Sequence, residues 1–168
     1  LGYFDNTRLI SDTLLLERAV QHAINAFAGK RITKVLAAAV DGIPLATLVA
    51  HRLGVGLVIA KKSRGVGVRE FIEEIYIPSK TAIMMSLFVP RDAIKRGDCV
   101  LIVDDVIDSG ETQVALARIV QKPDCGHHRF SGGTCQMASR NMIAVDGNEA
   151  TASVAHRVSE VIAIYPIT

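Results

Sequence analysis

The sequence has little of several residue types, and each scarcity argues against a class of protein. Its 168 residues include no tryptophan, and the aromatic content is only 5%. The formal net charge is +2, and no basic run is interleaved with aromatic residues, so nucleic acid is not expected as the main partner. Lys34, Asp41 and Lys61 interrupt the longest apolar stretches, and none of these stretches is therefore expected to span a membrane.

Cysteine is also scarce. Cys99, Cys125 and Cys135 form an odd set without the spacing of a disulfide framework, which is typical of a reducing cytoplasm. No secretory signal is visible, and the first residue is leucine, which is compatible with a start inside a longer chain. Cys125, His127, His128 and Cys135 match no structural zinc pattern. We therefore expect a cytoplasmic protein in which these four are loop residues.

The composition, 49% hydrophobic and 21% charged, predicts one globular domain over residues 1–168. Apolar residues recur at helical spacing over Thr13–Phe27, which predicts a first helix whose apolar face is core. Ser11, Asp12 and Thr13 are all candidate caps for that helix.

Two further segments predict the strand–helix–strand order of a parallel sheet. Lys34–Val40 is a buried strand followed by a tight loop. The next helix has Pro44 suited to its first turn and Gly54 suited to its end. Leu57–Ala60 is the following strand, and a pair of lysines comes directly after it.

The segment Val100–Gln113 decides most of the interpretation. Its four apolar, β-favouring residues run into Asp104 and Asp105. A short turn with hydroxyl groups and a glycine follows, and then an amphipathic segment that ends at Gln121. This order is typical of a buried parallel strand, a loop and a helix start. Ligands of open α/β sheets bind at that carboxyl edge of the sheet.

The two parts of this loop suit different parts of one ligand. Ser109, Gly110 and Thr112 can offer hydroxyls, backbone N–H groups and a helix N-terminus to a phosphate. Asp104 and Asp105 suit neighbouring sugar hydroxyls, because an ionised carboxylate only accepts hydrogen bonds. A ribose 5-phosphate fits both parts. The alternative is an ordinary strand whose acids cap the next helix.

At these residues the chain resembles a known family. The run Asp-Asp-Val-Ile-Asp-Ser-Gly-Glu-Thr, from Asp104 to Thr112, looks like the signature with which type I phosphoribosyltransferases bind phosphoribosyl pyrophosphate (PRPP). The likeness to purine-type members spans Lys34–Gln121, about half the chain. It implies an α/β fold, with a Rossmann-like parallel sheet flanked by helices and a small flexible hood. It also implies transfer of ribose 5-phosphate from PRPP to a purine base, with release of pyrophosphate.

The resemblance assigns roles within the signature. Asp104 and Asp105 would hold the ribose hydroxyls, with Mg²⁺ bridging ribose and pyrophosphate and the two acids acting on it through the sugar or a ligated water. The turn would wrap the 5-phosphate with Asp108, Ser109, Gly110, Glu111 and Thr112. Asp108 resembles an acid of the 6-oxopurine members that lies near the base, so it is the candidate catalytic residue. An Asx-turn is the alternative role for Asp108.

The resemblance also implies a pyrophosphate site. In relatives the loop after the first strand binds pyrophosphate through backbone amides, often with a strained peptide bond, and a lysine after the next strand reaches the same group. The matching residues are Val40, Asp41, Gly42, Lys61 and Lys62. Such a site is physically sound, because a diphosphate leaving group needs cations and N–H dipoles where its charge grows.

A hood is expected between the lysine pair and the signature strand. Residues 70–87 predict two short strands, around Ile75-Tyr76-Ile77 and Ile83–Val89, and in relatives this segment covers the bound pyrophosphate. Candidate phosphate contacts in and before it are Arg64, Arg69, Ser79 and Lys80. For each of these residues a solvated hairpin without a binding role is the alternative.

Two features depart from the family pattern. Glu111 stands where many relatives carry an uncharged residue, and we expect its side chain to point to solvent near the helix N-terminus. After Gln121 the sequence no longer shows the expected strand and base-recognition segment, although 154–164 could hold a last helix or strand. We therefore regard 122–168 as an atypical tail, with a reading-frame shift in the gene as a hypothesis.

Two other functions stay open beside the enzyme. The domain resembles the PRPP-sensing part of some bacterial purine regulators, which bind PRPP without turning it over. A bare nucleotide-binding domain with a structural role is the third possibility. For the enzyme we expect PRPP and a nucleobase as ligands, and a homodimer as the family resemblance implies.

Overall fold

A five-stranded parallel sheet forms the centre of the protein. The computed structural model describes residues 7–79, 81–107, 109–122, 143–145 and 161–163. The strands are β1 Lys34–Ala38, β2 Gly56–Ala60, β3 Phe71–Tyr76, β4 Met85–Pro90, β5 Val100–Val103, β6 Ile143–Val145 and β7 Val161–Ala163. The sheet has the order β2-β1-β5-β7-β6, and each neighbouring pair in it is parallel. The predicted α/β fold with a parallel sheet is confirmed.

Four described helices accompany the strands: α1 Thr7–Ser11, α2 Thr13–Ala26, α3 Ile43–Leu53 and α4 Glu111–Gln121. Of the three candidate caps, Asp12 is the one at the start of α2, where its carboxylate accepts hydrogen bonds from the N–H groups of Leu14 (2.9 Å) and Leu15 (3.1 Å). Gly54 ends α3 in a left-handed conformation with φ 66°, as its position after the helical pattern predicted. None of the described helices is long and apolar enough to cross a membrane.

The central strands are buried because their sequences are apolar throughout. All four residues of β5 are buried, as are four of the five residues of β1. Continuous apolar runs of this kind fit strands that helices cover on both faces. The predicted strand Lys34–Val40 is two residues too long, because the chain turns at Ala39 and Val40 towards α3.

The predicted hood consists of an antiparallel hairpin of β3 and β4. Ile75 pairs with Ser86 and Tyr76 with Met85, close to the tip. The hairpin is fixed to the end of α4 by Glu74 of β3, whose buried carboxylate lies 2.6 Å from Nζ of Lys122 and 3.5 Å from Nη1 of Arg118. Two short strands in this segment were expected, and the structure contains both.

Of the tail, the described residues are Lys122 and two short strands. Strands β7 and β6 continue the sheet beyond β5, and β7 falls within the range 154–164, where the sequence allowed a last helix or strand. Cys125, His127, His128 and Cys135 lie outside the described residues. The single domain over 1–168 and the atypical tail stay predictions.

Candidate active site

The site lies where the adjacent strands β1 and β5 end. Leu36 pairs with Ile102, so the loops that follow the two strands leave the sheet side by side. Gly42, in the first loop, packs against the second. A Cβ atom placed on Gly42 would lie 2.7 Å from Oδ1 of Asp104 and 3.5 Å from the backbone nitrogen of Asp105. The predicted pyrophosphate loop and the predicted acid pair therefore meet, and Gly42 permits the contact because it lacks a side chain.

Asp104 is turned into the protein. Only 8% of the residue is exposed. Its Oδ2 accepts a 2.7 Å hydrogen bond from Nε2 of Gln113, and its Oδ1 accepts one of 3.1 Å from the backbone N–H of Asp105. Burial, with the hydrogen bond and negative charge of the Asp105 side chain, raises the pKa of Asp104 to about 8, against the opposing effect of the Gln113 donor.

Asp105 is more open than Asp104. The residue is half-buried, whereas its neighbour is almost fully enclosed. Asp105 immediately follows Asp104 at the carboxyl edge of the sheet, and the structure thereby gives the two acids different surroundings. Their sequence alone suggested equivalent roles.

The predicted phosphate turn leads directly into α4. Gly110 precedes the first residue of the helix with φ 83°, a conformation that glycine adopts without steric cost, and its carbonyl accepts the N–H of Val114 at 3.0 Å. Ser109 is exposed and Thr112 is half-buried at the same end. The unpaired N–H groups of a helix start favour an anion at this place. Asp108, the candidate catalytic residue, lies outside the described residues.

Glu111 differs from its sequence prediction. Its carboxylate does not simply face solvent, because Oε1 accepts hydrogen bonds from Ser79, from the N–H at 3.3 Å and from the hydroxyl. Its Oε2 accepts the hydroxyl of Ser109. The sequence expectation of a side chain pointing to solvent did not include these partners, which are hydroxyls from the turn and from the hood. Glu111 thus joins the hood to the phosphate turn.

The loop predicted to bind pyrophosphate, residues 39–42, follows β1. The peptide bond between Ala39 and Val40 is cis, and the N–H of Ile43 donates to the carbonyl of Val40 at 3.2 Å. The side chain of Val40 is 70% exposed, and Asp41 is exposed as well. These side chains face outward, and the predicted role of the loop rests on its backbone amides.

The lysine pair follows β2, next to this loop. The N–H of Ala39 donates to the carbonyl of Ala60 at 2.9 Å, which places Lys61 beside the start of the pyrophosphate loop. Lys61 also exchanges two backbone hydrogen bonds with Phe88 of β4, at 2.9 and 2.8 Å. The side chains of Lys61 and Lys62 are exposed.

The other candidate phosphate contacts in and before the hood lie in different surroundings. Arg64 lies over the ring of Phe88, 5.4 Å from its centroid, and 3.3 Å from Glu73. Arg69 is exposed, and Lys80 lies outside the described residues. Among these candidates, Ser79 contacts the phosphate turn through Glu111.

Gln113 and Glu74 are two buried polar residues near the site that the sequence did not lead us to predict. Gln113 is 3% exposed and Glu74 is 9% exposed. A signal for Gln113 existed, because Leu116, Ala117 and Val120 follow it at helical spacing, and that pattern puts the glutamine on the apolar face of α4. A polar side chain on such a face must find a partner when it is buried.

The sequence is similar to a family model and to named relatives of one enzyme family. A family model described as a phosphoribosyl transferase domain matches residues 11–126. The adenine phosphoribosyltransferase of Geobacter metallireducens is 31% identical over 117 residues, 70% of this chain and 67% of that protein. That of Thermotoga neapolitana is 33% identical over 118 residues, 70% of this chain and 68% of that protein. The chain thus spans about two thirds of the length of these relatives.

A solved structure agrees with these sequence matches. The crystal structure of adenine phosphoribosyltransferase from Thermoanaerobacter pseudethanolicus superposes with a TM-score of 0.65 at 27% identity. The alignment covers 72% of this chain and 69% of that one. The family match starts at residue 11 and ends at residue 126, so it is longer than the likeness visible in the motifs, and it stops near the start of the predicted tail.

Proposed function

This chain belongs to the phosphoribosyltransferase family, and from that premise we propose that it transfers ribose 5-phosphate from PRPP to adenine. The prediction of a purine phosphoribosyltransferase from the signature residues is confirmed at the level of family and enzyme class. The relatives reported above are enzymes, which supports turnover rather than the PRPP-sensing alternative. We propose adenine as the base because the two relatives and the protein of the solved structure are named adenine phosphoribosyltransferases.

One observation carries the proposal: three parts of the site are in contact with one another. They are the predicted pyrophosphate loop, the acid pair, and the first turn of α4, which directly follows the predicted phosphate turn. The close approach of Gly42 to Asp104 joins the first two parts. The hydrogen bond from Gln113 of α4 to Asp104 joins the third. A ligand with a 5-phosphate, vicinal hydroxyls and a diphosphate would meet all three parts of this edge.

The reaction suits this arrangement. As the bond between ribose carbon 1 and pyrophosphate breaks, the sugar becomes cation-like and negative charge grows on the leaving group. The backbone amides of 40–42 and the exposed ammonium groups of Lys61 and Lys62 are proposed to stabilise that charge. The turn at Ser109 and Gly110 is proposed to hold the 5-phosphate so that carbon 1 is presented to the base.

The donor set fits Mg²⁺ as an ion that arrives with PRPP. Among the described residues no group of three or more His, Cys, Asp or Glu side chains could hold a metal ion. Carboxylate oxygens suit Mg²⁺, and Asp105 would hold the ion through ribose hydroxyls or water. Both oxygens of Asp104 already accept hydrogen bonds, so its part would be indirect. When bound, the ion would neutralise charge on the pyrophosphate.

The sequence motif and the relatives indicate different purine bases as the substrate. Asp108 resembles the acid of 6-oxopurine members, whereas the relatives are named for adenine. The full chain should be incubated with PRPP, Mg²⁺ and, separately, adenine, hypoxanthine and guanine, and the nucleotide products measured. We expect AMP. Formation of IMP or GMP alone would reject adenine while keeping the enzyme class, and PRPP binding without any product would favour the sensor. The homodimer stays a prediction.

A further inference from the structure

One carboxylate connects the tip of the hood to the turn that begins α4. Oε1 of Glu111 accepts two hydrogen bonds from Ser79, which lies just beyond β3, one from its N–H at 3.3 Å and one from its hydroxyl. Oε2 of the same carboxylate accepts the hydroxyl of Ser109 in the phosphate turn. We call these three residues the Glu111 junction. Each carboxylate oxygen holds one of the two segments, so the side chain of Glu111 bridges them.

The hood is attached to α4 near both ends of that helix. At the C-terminal end the buried carboxylate of Glu74 lies 2.6 Å from Nζ of Lys122. At the N-terminal end is the Glu111 junction, in which Ser79 and Ser109 are exposed and Glu111 is half-buried. Contacts that water can reach contribute little to stability and open readily. The junction is therefore the attachment that a ligand can undo while the Glu74 ion pair stays in place.

A 5-phosphate would compete with Glu111 for Ser109. The proposed function places that phosphate at the turn of Ser109 and Gly110, where the helix start favours an anion. A serine hydroxyl has a single hydrogen to donate, so Ser109 can serve the carboxylate of Glu111 or the phosphate, but not both. The carboxylate and the phosphate are also both anions, and they repel each other when they are close. A bound phosphate therefore removes one partner of Glu111 and pushes its carboxylate away from the turn.

We propose that the Glu111 junction is an autoinhibitory contact: in the empty site it ties the hood to the phosphate turn, and a 5-phosphate breaks it and releases Ser79. This inference rests on the proposed function, because the phosphate is that of the PRPP site. By linkage, the free energy that holds the junction together opposes binding of the phosphate. A substitution that weakens the junction on the hood side must then tighten phosphate binding, although it leaves the turn unchanged.

Amide hydrogen exchange of the full chain measures the release of Ser79. Ribose 5-phosphate is the ligand, because it carries the phosphate and lacks the pyrophosphate. At saturation we expect the backbone N–H of Ser79 to exchange at least about threefold faster than in the empty protein, whereas ribose without phosphate has no effect. In Glu111→Ala the same N–H should exchange fast with and without ligand. Unchanged or slower exchange in the original protein with bound ligand would overturn the proposal.

Ser79→Ala distinguishes the junction from a simple effect of charge. The substitution removes a hydroxyl donor from Glu111 but leaves the charge of Glu111 and the whole turn in place. If Glu111 only repelled the phosphate, this variant would bind ribose 5-phosphate as the original protein does. The junction instead predicts that the Kd, measured by calorimetry, falls about twofold to threefold. Unchanged or weaker binding by a folded Ser79→Ala variant would refute the inference.

Ser86→Ala is the matched control for this variant. Ser86 lies in the same hairpin, and its hydroxyl donates to Glu73, 3.0 Å away in β3, so its loss should leave the Kd for ribose 5-phosphate unchanged. Combining Ser79→Ala with Glu111→Ala should add nothing to the effect of Glu111→Ala, because the junction can be lost only once. Additive gains in the double variant would contradict the proposal.

The outcomes also separate this inference from the proposed function. If the original chain bound no ribose 5-phosphate, the proposed phosphate turn and this inference would both be wrong. If it bound ribose 5-phosphate and released Ser79 but formed no nucleotide from PRPP, the enzyme proposal alone would fail. If it formed nucleotide while Ser79 stayed protected, this inference alone would fail.

Discussion

Gly42 and Asp104 touch across the gap between the ends of β1 and β5. A Cβ atom on Gly42 would lie 2.7 Å from Oδ1 and 3.3 Å from Cα of Asp104, closer than packed side chains approach the backbone. Gly42 has φ −71° and ψ −14°, which any residue can adopt. The requirement for glycine here is therefore steric and concerns the contact alone.

Gly42→Ala should separate the two loops. The added methyl group must displace Asp104 or the pyrophosphate loop, so we expect PRPP affinity to fall more than about tenfold and the free energy of unfolding to fall by about 1–3 kcal/mol. Calorimetric titration and urea denaturation measure the two effects. Gly56→Ala is the control, because its Cβ would meet only the flexible end of Lys34. Similar losses in both variants would show that the Gly42 contact is not special.

Asp104→Asn should change how stability depends on pH. Burial raises the pKa of Asp104 from its ordinary 3.8 to about 8, so the folded protein favours the protonated acid. The protonated acid stabilises the folded protein. This stabilisation is complete below the pKa of the unfolded state, and it is lost as pH rises towards and through the pKa of the folded state. At about 1.4 kcal/mol per pKa unit, we expect the stability of Asp104→Asn relative to the original protein to grow by roughly 3–4 kcal/mol between pH 5 and pH 8.

Urea denaturation at several pH values measures this difference. Asp92→Asn is the control, because Asp92 is exposed and its curve should run parallel to that of the original protein. Parallel curves for Asp104→Asn as well would show that the Asp104 carboxyl titrates normally in the folded state.

Glu111→Ala should strengthen PRPP binding. The carboxylate of Glu111 places negative charge at the phosphate turn and accepts the hydroxyl of Ser109. Its removal frees that hydroxyl and lowers the repulsion of a 5-phosphate, so we expect the Kd to fall about threefold, with a smaller change at high salt. Glu17→Ala, on the exposed surface of α2, should have no effect. Weaker binding by Glu111→Ala would mean that the link to Ser79 in the hood matters more than the charge.

Glu74→Gln should loosen the hood. The Glu74 side chain is 11% exposed and pairs with Lys122 and Arg118 of the α4 end, which are themselves 39% and 56% exposed. Because the partners are partly solvated, we expect a loss of only about 1 kcal/mol in unfolding free energy. Faster hydrogen exchange in β3 and β4 should accompany it. Glu70→Gln, with a side chain 66% exposed, should change stability by less than about 0.5 kcal/mol.

Local order in the chain made the sheet and the acid pair predictable. A buried strand, two acids, a turn and a helix follow one another within Val100–Gln113, and the structure keeps that order in β5 and α4. The strand of 34–40 was two residues too long, because its apolar run continues into a turn that hydrophobic periodicity cannot detect. The hairpin was recognisable from two β-favouring runs.

The contacts between distant segments were not predictable in this way. Ser79 and Glu111 are 32 positions apart in the chain, and Glu74 and Lys122 are 48 positions apart. The sequence does not indicate how the elements that carry these residues are placed relative to one another. The inward turn of Asp104 likewise depends on how α4 packs against β5, which brings Gln113 nine positions away into contact. Two adjacent aspartates look equivalent in sequence, and only packing distinguishes them.

The main-chain pairing of Lys61 with Phe88 makes the hairpin and the central sheet one mechanical unit at that point. A tilt of β4 would act through these two backbone hydrogen bonds on Lys61, which lies beside the turn of 39–42. A displacement of the hairpin would therefore move the backbone of Lys61 as well, with no side chain needed between them.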